Sequence, residues 1–171
     1  MSVFVALLRA VNVGGTGTLP MSELRALCES AGFTDVATYI QSGNVVLRSG
    51  LGERKVKEVL EAALAARLGK PVGVMVRTGT QLFATLKANP FKKAEPNKVV
   101  VVFLDKPPGA SALNGVAIPG GEELSLGGRE LFIHYPDGQG QSKLKVPLAK
   151  EGTGRNLNTV AKLAQMAASL K

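Results

Sequence analysis

Two stretches of helical period, set among short β-branched runs, constrain this chain more than any other feature. From Glu53 to Leu68 the apolar residues Val56, Val59, Leu60, Ala63, Leu64 and Leu68 trace one face, while Arg54, Lys55, Lys57, Glu58 and Glu61 lie elsewhere. A shorter stripe of Leu24, Leu27, Cys28 and Ala31 predicts a helix from about Met21 to Ala31. Pro20 suits its first turn and Gly32 its C-terminal cap. Around these helices, Val3 to Val11 reads as a strand. Val36 to Gln41 and Val45 to Arg48 read as a hairpin about Ser42-Gly43-Asn44, and Val72 to Arg77 as a fourth strand. The order strand, helix, strand, strand, helix, strand over residues 1–79 is the ferredoxin-like one.

Residues 80–171 read as a looser echo. A short helix carries Leu82, Phe83 and Leu86, and Asn89-Pro90-Phe91 breaks it. Lys98 to Leu104 is a β-branched strand, and Glu122 to Leu126 with Arg129 to Tyr135 form a hairpin about Gly127-Gly128. Lys143 to Pro147 suits an edge strand, because lysines and a terminal proline discourage further pairing. A helix from about Asn156 to Leu170 closes the chain. The expected class is α+β: two ferredoxin-like halves, 1–79 and 80–171, packed as one unit.

At 171 residues, with 45% apolar and 20% charged side chains, the composition is that of an ordinary globular protein. No apolar run reaches the roughly 18 residues that span a bilayer, and the N-terminus lacks a signal-peptide pattern, so the chain reads as cytoplasmic with no membrane partner. One cysteine, Cys28, excludes an internal disulfide and a cysteine-based zinc site; with a single histidine, His134, no metal centre is expected. A formal charge of +8 favours acidic partners: phosphorylated metabolites, nucleotides or nucleic acid.

Topology indicates where such a partner could sit. In a ferredoxin-like half the loop after the first strand and the hairpin between the second and third lie at the same end of the sheet. Asn12, Gly14 and Gly15 are thereby brought near Tyr39, Ser42, Gly43 and Asn44, with the Arg9 guanidinium beside them. A guanidinium taken out of water needs a carboxylate, carbonyls or an anionic ligand. Here that partner is either an acid such as Glu23 or Asp35, or the ligand itself. The glycines either cradle an anion above the following helix or only permit a tight turn. Arg155, at the start of the last helix, runs against its dipole, and with Asn156 beside it suggests a second anionic contact. Lys143, beside Gln141 and Ser142, is a further candidate.

Standard signatures fail. Gly15-Thr16-Gly17-Thr18-Leu19-Pro20 lacks the third glycine of a dinucleotide fingerprint, and no Walker sequence occurs. Ser42 has no nucleophile elbow, so no acid, base or nucleophile is identified and no cofactor is implied. With no tryptophan and 5% aromatic residues, stacking of single-stranded bases is poorly supported. A basic nucleic-acid module using Lys92, Lys93, Lys98, Lys143 and Lys145 stands as the alternative, and a protein-interaction module without a ligand as a third.

Taken together, Ala6 to Arg9, Asn12 to Gly15, Met21 to Leu24, Thr38 to Val45, Asn89-Pro90-Phe91, Phe103-Leu104, Ser142-Lys143-Leu144 and Arg155-Asn156 with Asn158-Thr159-Val160 resemble the bacterial family called domain of unknown function 1697. The resemblance implies two ferredoxin-like modules and brings no established activity. Leu157 stands where that family typically has tryptophan, and Ala10 where it usually has glycine.

Overall fold

The computed structural model describes residues 1–9, 19–39 and 43–170. It is a mixed α+β structure with two four-stranded antiparallel sheets and four helices among the described residues. Contacts group the chain into two compact units, residues 1–82 with 163–171, and residues 83–162.

In the first unit β1 (Ser2–Leu8) is followed by α1 (Met21–Ser30), β2 (Thr34–Tyr39), β3 (Asn44–Ser49), α2 (Glu53–Leu68) and β4 (Val74–Thr78). The strand order is β2-β3-β1-β4, antiparallel throughout. Alternate residues along the strands divide between the two faces. Phe4, Ala6, Leu8, Val45, Leu47, Val74 and Val76 pack with Leu24 and Cys28 of α1 and with Val56, Leu60 and Leu64 of α2. The opposite face carries Val5, Leu7, Val46 and Met75, also buried. The helix ends follow the expected chemistry: Gly32 and Gly69 adopt positive φ just past α1 and α2, a conformation glycine takes without steric cost.

The chain continues through α3 (Gly79–Ala88), β5 (Val99–Phe103), β6 (Glu123–Leu126), β7 (Glu130–His134), β8 (Thr153–Asn156) and α4 (Leu157–Ser169). The second sheet has the order β6-β7-β5-β8, which repeats that of the first strand for strand. Its two crossovers are not α-helices. The segment around Ala112, Leu113 and Val116 and the one carrying Leu144, Val146 and Leu148 pack on Val100, Val102, Leu131 and Ile133 instead.

The edge position expected for Lys143 to Pro147 belongs to Thr153–Asn156. Two features explain the exchange. The Ser142 hydroxyl donates to Glu122 and accepts the Leu144 amide, which holds this stretch in a local turn rather than a ladder. Gly152 then lets the chain enter β8 tightly against β5, for a Cβ there would lie 2.2 Å from the Phe103 carbonyl oxygen. Gly152→Ala is therefore expected to destabilise the protein by at least the ~1–3 kcal/mol typical of overpacking. Urea unfolding checks this; a change below about 0.5 kcal/mol, the scale of an unremarkable surface substitution, would mean that the approach is not confining.

Candidate anion site

The end of β1 is where the separate pieces meet. Leu7 pairs with Asn44 and Leu8 with Val74, so β3 begins and β4 begins beside the point where β1 stops. Two further backbone bonds extend the junction: the Leu8 amide donates to the Gly43 carbonyl and the Arg9 amide to that of Gly73, both at 2.9 Å. The Arg9 side chain lies over Gly73, whose absent Cβ would sit 3.0 Å from Arg9 Cδ. Any larger residue at 73 would push the arginine stem away. Close by, Lys57 Nζ donates to Glu61 and to the Val74 carbonyl, while the Val74 amide donates to the same Glu61 carboxylate. That arrangement ties α2 to the start of β4 and matches Lys57 with an acid.

Arg9, Tyr39, Gly43 and Asn44 are thus brought to one end of the first sheet, Tyr39 facing Asn44 across the hairpin. Asn12, Gly14, Gly15 and Ser42 lie outside the described residues. Asn44 is fully buried, and its side-chain amide donates to the Tyr39 carbonyl at 3.0 Å, closing the hairpin. Gly43 takes a φ of 78°, the left-handed conformation a tight turn requires. The two acids considered for Arg9 are engaged elsewhere: Glu23 bonds Arg67, and Asp35 lies 3.3 Å from Arg48.

The remaining candidates belong to the second unit. Arg155 is a buried residue of β8, not the opening residue of the last helix. Its Nη1 donates to Thr153 Oγ1 at 2.6 Å and to the Gly154 carbonyl at 2.9 Å. Burial pushes its pKa down to about 10, which leaves it charged at neutral pH. Asn156 caps α4 by accepting the Thr159 amide at 2.9 Å. Lys143 is exposed. Ser142 serves the turn described above, and its hydrogen bond lowers the Glu122 pKa.

Sequence reasoning passed over Arg77. It is the largest fully buried side chain, sits on β4 opposite Val5, and donates Nη1 to the carbonyl of its preceding residue, Val76. Arg155 does the same with Gly154. Each arginine precedes a capping residue, Thr78 or Asn156, whose side-chain oxygen accepts an amide three residues on, from Gln81 or Thr159. The recurring signal was available: arginine, a capping side chain, then a helix, at the end of the fourth strand of each sheet.

A model of the family described as "Protein of unknown function (DUF1697)" matches residues 1–132. The chain belongs to this family. Within DUF1697, the matched stretch takes in the whole β1 end with Arg9, Gly43 and Gly73, and it stops before Arg155. The solved structure of the conserved bacterial protein SP0830 from Streptococcus pneumoniae is similar to this chain with a TM-score of 0.82, covering 97% of this chain and 98% of that one at 24% identity. At that identity the likeness carries the fold. No curated protein matches the chain.

The described residues hold no group of three His, Cys, Asp or Glu able to bind a metal, and no helix long and apolar enough to cross a membrane. Cys28 is no nucleophile in the folded state. It is buried in the helix-packed core, and burial raises its pKa to about 12. A disulfide reagent such as dithionitrobenzoate should label it only on unfolding, with native labelling at neutral pH slowed by several orders of magnitude. Between about pH 9 and 12 the unfolded thiol ionises while the folded one does not, so this group lowers stability as pH rises through that window. A Cys28→Ala variant should show a shallower alkaline loss in urea titrations.

Proposed function

We propose that this protein is a cytoplasmic α+β protein whose first half, 1–79, is a ferredoxin-like module that binds a phosphate-bearing small molecule or nucleotide at the end of β1. The strand order β2-β3-β1-β4 with α1 and α2 on one face supports the ferredoxin-like reading, and its repetition in β6-β7-β5-β8 supports a second such half in 80–171.

One observation carries the binding proposal: Arg9, Gly43 and Gly73 meet at the place where the chain departs toward the glycine-bearing stretch 10–18. Arg9 supplies a charge whose forked donors match a phosphate, held over a glycine that keeps the surface low. Asn12, Gly14, Gly15 and Ser42 supply backbone and side-chain donors in this reading, and the N-terminus of α1 adds favourable potential. Arg155, Asn156 and Lys143 belong to the second unit and form no part of this reading.

Thermal-shift titration with inorganic phosphate, ribose 5-phosphate, AMP and ATP tests the reading. A ligand present at 100 times its dissociation constant stabilises by about 2.7 kcal/mol, several degrees for a chain of this size. Arg9→Ala should fold normally and weaken binding by about 10- to 150-fold, the equivalent of one charged hydrogen bond at roughly 1.5–3 kcal/mol. Binding in such a pocket survives moderate salt, whereas contacts to a nucleic-acid backbone weaken steeply with it. If none of the four compounds raises the melting temperature, or Arg9→Ala binds as well as the parent, the proposal fails.

A further inference from the structure

A cleft of about 540 Å³ lies wholly within the second unit and shares no residue with the candidate anion site. It is lined by the run Asn89 to Ala94 on one side and by Glu123 and His134 on the other. Its size falls in the range of about 300–1,000 Å³ usual for small-molecule sites.

The wall formed by 89–94 is held from within. Asn89 is buried, and its Oδ1 accepts the Phe91 amide at 3.0 Å, while the Ala94 amide donates to the Phe91 carbonyl at 3.0 Å. This double turn gives Phe91 a defined place and leaves Lys92 and Lys93 exposed beside it. The facing wall is sheet. His134 ends β7, paired with Val99 on one side and Glu123 on the other, so its ring is placed by two ladders. The Phe91 and His134 rings lie 5.7 Å apart at 32°, within the 4.5–7 Å of interacting aromatic pairs. Both rings keep part of their surface open to the cleft. Glu123 Oε1 lies 3.6 Å from His134 Nδ1, so this acid is directed at the imidazole. The two lysines outnumber it.

An aromatic pair that is partly exposed, next to two cations, has the chemistry to take a flat ring bearing a negative group. The ring extends the Phe91–His134 pair, and the acid meets Lys92 and Lys93. We propose that this cleft is a binding site for a small aromatic carboxylate. Lysine suits such a role as a mobile point charge able to follow ligands of different length. Neither component alone suffices, because an exposed lysine pair holds a small anion weakly in water and a two-ring surface holds an uncharged ring weakly.

His134 is the only histidine of the chain, so its imidazole Cε1–H resonance is assigned without mutagenesis. The test is to follow that resonance in the full chain, freed of any histidine tag, during titration with benzoate, cyclohexanecarboxylate, benzyl alcohol and inorganic phosphate. Benzoate is expected to shift it saturably with a dissociation constant of about 1 mM or tighter, the other three at least ten-fold more weakly. Phe91→Leu, which keeps an apolar side chain at the turn, should weaken benzoate about ten-fold. Lys92→Gln with Lys93→Gln, both exposed, should do so by a similar factor without lowering the melting temperature. Absence of saturation by about 10 mM benzoate overturns the proposal. So does equal binding of cyclohexanecarboxylate or benzyl alcohol, or an undiminished benzoate shift in the double lysine variant.

Discussion

The pairing of β1 on both of its edges is the constraint on which the rest of the first unit depends. A strand hydrogen-bonded to β3 on one side and β4 on the other has every residue from Phe4 to Leu8 buried, so a slip by one residue would exchange the side chains fitted to its two packed faces. The ladder does not stop with the regular strand. Bonds from Leu8 to Gly43 and from Arg9 to Gly73 carry it one step further, so that a partly exposed arginine is set on backbone hydrogen-bonded in continuation of the core strand. A binding group on such a support loses little orientational freedom when it engages a ligand.

The same economy appears in the second unit in altered form. Strand order is repeated, and with it the sequence of buried arginine, capping side chain and helix at the end of β4 and again at the end of β8. What is not repeated is the covering of the sheet, where turn segments replace two helices. Burying a guanidinium costs several kcal/mol unless its donors are met. Arg77 and Arg155 each meet part of that need with the carbonyl just before them, a bond that costs no long-range ordering.

Much of this was legible from residue order. The helices of the first unit followed from apolar periodicity, and their ends from Gly32 and Gly69. That the end of β1 lies beside the start of β3 at Gly43 and Asn44 followed from topology, because strand direction dictates which ends meet. Other points lay beyond local reading. Lys143 to Pro147 has the composition of an edge strand, yet the Ser142 hydroxyl binds Glu122, twenty residues away, and holds the stretch in a turn. Arg155 looks from its neighbours like a helix-start residue, but pairing with Val101 makes it a strand residue with its side chain buried. Arg77 closes the expected fourth strand, and nothing local reveals that its side chain is buried.

By itself, then, the sequence determined the kinds of element in the first unit, their order and the end of the sheet at which Arg9 stands. Those properties come from short-range periodicity, turn chemistry and the direction of successive strands. Only tertiary structure decided which strand borders β5, which arginines are buried, and that Phe91 and His134, forty-three positions apart, form one partly exposed aromatic wall. Each of these depends on a contact between residues distant along the chain, and no local pattern encodes the free energy of such a contact.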